Sequence, residues 1–181
     1  MRAHLGRGFP LMADANMRWS VDEAIRAARA LADSAAGVAG GADDPRRRPR
    51  PRARSCARAA CRSPPARTST RSTSSAQLIA AGGVTFPEPD VTNCGGVSVF
   101  MKVCHLAEAF NLPVTSHGAH DISVHLLAAA AEPLVPEAHG FGLDRFIAEP
   151  LRIEEGCAVA PERPGHGVAF DWKKLDTVRA S

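Results

Sequence analysis

The chain has 181 residues, 45% of them apolar and 23% charged, with a net charge of +3. That length and apolar share suit one soluble domain with its own core, and so small a charge does not by itself argue for a nucleic-acid partner. Five cysteines form no C-x-x-C pair and no zinc spacing, and no apolar run is long enough for a signal peptide or a membrane span. The expectation is a reducing, cytoplasmic setting.

In chain order, Phe9 to Ala13 (FPLMA) is a short apolar run after glycines, which predicts a buried strand. It ends at Asp14, which puts a carboxylate at a strand tip; the plainer reading is a turn or helix-entry Asp. Ser20 with Glu23 is a capping-box pair, and Val21, Ala24, Ile25, Ala28, Leu31 and Ala32 follow helical spacing. Residues 1–33 therefore read as one strand–helix unit. From 34 to 75 the composition turns to Ala, Arg, Pro, Ser, Thr and Gly, with no Lys and neither helical nor strand periodicity. Such a stretch cannot build a core and is expected to be a disordered Arg/Pro-rich insert. Its densest charge, Arg46 to Arg48, raises the alternative of a nucleic-acid tail, which the lack of Lys and of interleaved aromatics weakens. A structureless run of this length inside a compact domain is itself anomalous.

Periodicity returns at Ala76. Residues 76–175 read as a short helix, a strand running to Asp90, a Gly95-Gly96 turn, and a helix with Val97, Phe100, Met101, Cys104, Ala107 and Phe110 on one face. Asn111 stands at its C-cap. Leu112 to Thr115 is a short strand leading to His117, and Ile122 to Ala131 is a further apolar helix. Leu151 to Val159 is extended, with a turn at Glu155-Gly156, and residues 176–181 are a polar tail. His120 and His125 read as helix residues and Cys104 as core. Asp90 and His117 each close a strand, and each can hold or move a proton. Parallel strands in a barrel present catalytic side chains at their C-terminal ends in this way. The fold class is α/β, a partial (β/α) TIM-type barrel.

Strand-D-x-N-helix, then P-D-x-x-x-x-G-G, then L-P-V-x-S-H with a helical H-L after it, then P-x-x-P-G-x-G, resembles the C-terminal barrel domain of the enolase superfamily. Within it the order resembles the mandelate racemase/muconate lactonising branch and its acid-sugar dehydratases. The resemblance covers residues 5–33 and 76–175. It implies abstraction of the proton alpha to a carboxylate, with Mg2+ stabilising the enolate. It further implies His117 as general acid/base, Asp90 as the residue that fixes its tautomer, Asp14 as first metal ligand, and Glu137 as a carboxylic acid bonding the substrate carboxylate. The implied substrate is a small sugar acid, with dehydration the expected outcome and racemisation the alternative. The implied parent is a homo-oligomer.

Three family features are not found in this sequence: the capping domain, the Lys-x-Lys base, and the W-L-E-E-P and G-E-N motifs that carry the second and third metal ligands. Both motifs would fall in residues 34–75. Val38 to Ala42 can be written GTG GCT GGA GGA GCC, which one base later reads Trp-Leu-Glu-Glu-Pro. Cys61 to Ser75 can be written so that two bases later it reads Pro-Ile-Ala-Ala-Gly-Glu-Asn, running on into Ala76. Ala131 to Pro136 similarly yields Pro-Asn-Arg-Ser-Tyr-Leu. The expectation is a frameshifted reading of an enzyme gene, and a polypeptide that does not catalyse. A non-catalytic barrel fragment and a nucleic-acid binder are the alternatives.

Overall fold

A computed structural model describes residues 1–6, 9, 12–14, 18–31, 37–39, 66–67, 72–84, 86–138 and 144–179. The architecture is a succession of short strands and helices. In order they are α1 (Arg2–Leu5), β1 (Met12–Asp14), α2 (Val21–Leu31), β2 (Gly37–Ala39), β3 (Ala66–Arg67), α3 (Ser72–Ala80), β4 (Pro87–Glu88), α4 (Val97–Ala109), β5 (Val114–Ser116), α5 (His120–Ala128) and β6 (Pro133–Pro136). A 3-10 turn (Asp144–Phe146), a hairpin of β7 (Arg152–Glu154) and β8 (Cys157–Val159), and α6 (Trp172–Asp176) follow.

Three strand pairs are parallel: β1 with β2, β3 with β4, and β5 with β6. The His117 N–H donates to the Pro89 carbonyl at 3.1 Å, which lays the end of β5 beside the end of β4. Parallel neighbours joined by helices are the building rule of a β/α barrel. The β7–β8 hairpin is antiparallel and lies outside that rule.

Local chemistry accounts for several boundaries. The capping box at α2 is formed in both directions. Ser20 N–H donates to Glu23 Oε2 at 2.7 Å, and Glu23 N–H donates to Ser20 Oγ at 3.4 Å. Helix α4 ends in a Schellman turn. Asn111 has a φ of 53°, Leu112 N–H donates to the Ala107 carbonyl, and Asn111 N–H donates to that of Glu108. The start of α4 is fixed by Gly95, whose φ of +110° excludes a side chain and whose Cβ would come 3.1 Å from Val99. The hairpin turns at Glu155 and Gly156, both with positive φ, where the sequence places it.

The core lies between α4, β5 and α5: Val91, Cys94, Phe100, Cys104, Ala107, Val114, Leu126 and Leu127 form one buried cluster. Cys104 is a core residue, as its spacing predicts. The expected face of α4 differs at both ends. Val97 and Phe110 are about half exposed, while Val103, off that face, is 2% exposed. The ends of a helix reach past the sheet it packs on, and its middle is covered from two sides.

Residues 34–75 are not featureless throughout: β2, β3 and the start of α3 fall inside them. Backbone pairing with a neighbouring strand gives regular structure without any side-chain period, and periodicity could not signal it. The rest of that expected insert, including Arg46 to Arg48, lies outside the described residues, as do residues 180–181 of the tail. Strand β6 and helices α1 and α6 carried no sequence expectation. In β6, Pro133 and Pro136 flank a register irregularity, the place where a strand tolerates residues without an N–H. Among the described residues no helix is long and apolar enough to cross a membrane.

Candidate active site

The C-terminal ends of β4, β5 and β6 converge, and each delivers one ionisable side chain. Asp90 follows β4, His117 follows β5 and Glu137 follows β6. Asp90 Oδ2 lies 2.8 Å from His117 Nδ1, and Glu137 Oε2 lies 3.9 Å from His117 Nε2. Glu137 Oε2 also accepts from the Gly118 N–H at 3.3 Å, and the Glu137 N–H donates to the Ser116 carbonyl. The side chains of Asp90 and His117 are 10% and 19% exposed, so the pair is shielded and still reachable.

Two left-handed residues in succession, Gly118 at φ 54° and Ala119 at φ 42°, turn the chain out of β5 and into α5. An alanine rarely takes that conformation, and such strain collects where a side chain has to be aimed. The turn is held by Ser123, whose Oγ donates to the Gly118 carbonyl at 3.2 Å.

Asp90 is held by its own downstream turn. Oδ1 accepts from the Thr92 N–H at 2.8 Å and from Thr92 Oγ1 at 2.6 Å, and Oδ2 accepts from Asn93 Nδ2 at 2.6 Å. Burial pushes its pKa up, but hydrogen bonds from Thr92, His117 and Asn93 outweigh it and leave the carboxyl below its ordinary value. Thr92, Asn93 and Gly118 were not singled out by sequence. A Thr-Asn two and three residues after an Asp is the available signal, since it is turn chemistry.

Asp14 is the last residue of β1, a strand tip as expected, and it sits on the β1–β2 pair rather than among β4 to β6. A second group, His120, Asp121 and Asp144, links the start of α5 to the 3-10 turn. His120 Nε2 lies 3.4 Å from Asp121 Oδ2 and 3.5 Å from Asp144 Oδ1, a cluster of one imidazole and two carboxylates apart from the Asp90–His117 pair. His125 packs on the C-terminal loop, with Nε2 3.3 Å from where a Cβ on Gly167 would lie.

The family profile described as "Enolase C-terminal domain-like" matches residues 67–174. The chain belongs to this family. A curated relative in this enolase group, the 3,6-anhydro-alpha-L-galactonate cycloisomerase of Streptomyces coelicolor, is 45% identical over 97% of this chain and 48% of its own length. A solved structure described as a racemase from Streptomyces coelicolor with bound magnesium superposes with a TM-score of 0.86 at 42% identity, again over 97% of this chain and 48% of that one. The L-talarate dehydratase of a Polaromonas species, solved with Mg and L-glucarate, has a TM-score of 0.80 at 27% identity over 99% of this chain and 49% of that one. The chain spans about half the length of the relatives it matches.

Magnesium is held by oxygen donors in near-octahedral geometry. The tips of β1, β2 and β3 carry Asp14, Ala39 and Arg67. Asp14 and Ala39 are register partners, and of the three residue types at these strand ends only Asp14 brings a carboxylate. That donor set does not fit Mg2+.

Proposed function

We propose that this chain is the barrel portion of an enzyme that moves the proton alpha to the carboxylate of a sugar acid. His117 is the acid/base, Asp90 its orienting partner, and Glu137 a carboxyl group facing the same space. The 2.8 Å contact between Asp90 Oδ2 and His117 Nδ1, made across the neighbouring ends of β4 and β5, carries the reading. An Nδ1–H bonded to a carboxylate leaves Nε2 with a lone pair, the atom a base needs. After proton removal, loss of a β-hydroxyl with acid help from His117 gives a dehydratase. Return of a proton to the other face gives a racemase. The magnesium and sugar-acid ligands of the related structures favour this substrate class.

We also propose that the 181-residue polypeptide does not itself catalyse, because its second and third strand tips lack carboxylates, and that residues 34–75 are translated out of frame. Strand placement supports this. β2 ends at Ala39, one residue before the codons that read Glu-Glu when shifted by one base. β3 consists of Ala66 and Arg67, the two codons that together read as the Glu of G-E-N when shifted by two. Residues 1–33 and 76–175, apart from the short lapse at 131–136, are then the in-frame units.

The test has two arms. The coding DNA, read in all frames, is expected to contain W-L-E-E-P and G-E-N; their absence from every frame removes the frame explanation. Purified protein with sugar acids and Mg2+ in deuterated water is expected to show no α-proton exchange as the chain stands. With both motifs restored it gains exchange, which His117→Ala lowers by about a hundredfold or more. Restored protein whose exchange ignores His117→Ala would eliminate His117 as the base.

A further inference from the structure

The carboxylate of Asp90 has no acceptor position to spare. A carboxylate offers about four lone-pair sites. Thr92 fills two on Oδ1, through its N–H at 2.8 Å and its Oγ1 at 2.6 Å. Asn93 Nδ2 at 2.6 Å and His117 Nδ1 at 2.8 Å share Oδ2. The orientation of the Asn93 amide follows from chemistry, since its oxygen could not face an anionic oxygen at that distance. The backbone closes the same turn. Asn93 and Cys94 N–H groups donate to the Asp90 carbonyl at 3.0 and 2.7 Å, just before the Gly95-Gly96 bend into α4.

We propose that Thr92 and Asn93 are positioning residues for the proton-transfer pair: by filling Asp90 they hold it as a fixed acceptor and thereby hold His117 as the tautomer protonated on Nδ1. The inference rests on the reading of His117 as the base, and assigns a task to two residues that act through Asp90. A carboxylate held as the anion by three further donor bonds is a poor acceptor for the imidazole proton, so the proton stays on Nδ1 and Nε2 keeps its lone pair. The two residues divide the work. Thr92, with two bonds to one oxygen, fixes the plane of the carboxylate. Asn93, on the oxygen that His117 uses, fixes the direction from which that oxygen can be approached. Among the described residues, the ionisable groups near the pair include Glu137, 3.9 Å from Nε2, and the buried Cys94 thiol, whose pKa burial and the nearby Asp90 charge push up.

The test reads the tautomer directly and needs neither metal nor substrate. Ring-nitrogen chemical shifts of His117 are measured in the full chain at about pH 8.5, where free imidazole is neutral. Asp90 carboxyl shifts are followed through the acid range. The wild type is expected to be the Nδ1–H form. In Thr92→Val/Asn93→Leu the ratio of Nδ1–H to Nε2–H falls by about tenfold, the size expected for losing one charge-assisted hydrogen bond. The Asp90 titration moves up toward its ordinary value, and Thr92→Ser retains the wild-type ratio. If the double variant does not fold, Asn93→Leu alone carries the test, with a fall of about threefold, because both Thr92 contacts remain. An unchanged ratio in the variant that folds, or a mixed wild-type tautomer, overturns the proposal. A Thr92- and Asn93-dependent tautomer without α-proton exchange in the motif-restored protein would instead count against the catalytic reading alone.

Discussion

The two sides of this half-barrel share a backbone plan and differ in chemistry. The tips of β4, β5 and β6 present Asp90, His117 and Glu137, joined by hydrogen bonds between and within the strands. The tips of β1, β2 and β3 present Asp14, Ala39 and Arg67 on strands that pair in the same parallel fashion. Strand pairing depends on backbone groups that every residue but proline carries, and it survives when the side chains are wrong. Proton transfer and metal binding depend on particular side-chain atoms and do not.

The comparison can be broken most forcefully at the core beneath the second side. Phe100 is fully buried between α4 and β5, so Phe100→Ala should cost about 3–5 kcal/mol in urea unfolding. A loss near zero would mean that the two sides do not differ in how firmly they are held. Magnesium sharpens the contrast next. A ligand that binds the folded state raises its stability with concentration, by about 2.7 kcal/mol at a hundred times its dissociation constant. Millimolar Mg2+ should leave the melting temperature of this chain unmoved and raise that of a protein with W-L-E-E-P and G-E-N restored. A magnesium-dependent rise in the unaltered chain would show the first side to be chemically complete.

A smaller effect concerns Asp90. Its folded pKa is lowered, so it contributes stability that is present above its ordinary value of 3.8 and lost as pH falls through the folded value. The stability difference between wild type and Asp90→Asn should therefore be largest near neutrality and shrink below the usual carboxylate range. A difference that does not change with pH would remove the hydrogen-bonded carboxylate from the account. The smallest effect lies on the first side. Ser20→Ala removes the hydroxyl that caps α2 and should cost about 0.5–2 kcal/mol, read by the same unfolding curves.

Much of both sides was legible in the chain. Ser20 and Glu23, the glycine pair before α4, Asn111 after it, and Glu155-Gly156 in the hairpin are local signals, each resting on atoms within a few residues. Asp90 and His117 could be placed at strand ends for the same reason. What sequence missed was non-local or carried by backbone alone. β2 and β3 have no period because their support is a neighbouring strand. β6 carries two prolines that ordinarily argue against a strand. The half-exposed ends of α4 could not be foreseen without knowing where the sheet stops. Thr92 and Asn93 were visible as turn residues, but nothing local indicates that their turn closes on a carboxylate shared with His117.

The sequence by itself determined the strand–helix units that end at Asp90 and lead to His117, and the lack of carboxylates where W-L-E-E-P and G-E-N would stand, because these depend on residue type and short spacing. Only the tertiary structure decided that Asp90 and His117, 27 residues apart, meet at 2.8 Å, that Glu137 faces the same imidazole, and that Ala39 stands beside Asp14. Those contacts are made across strands, and the distance between strands is set by parallel pairing and helix packing, which no single stretch of the chain encodes.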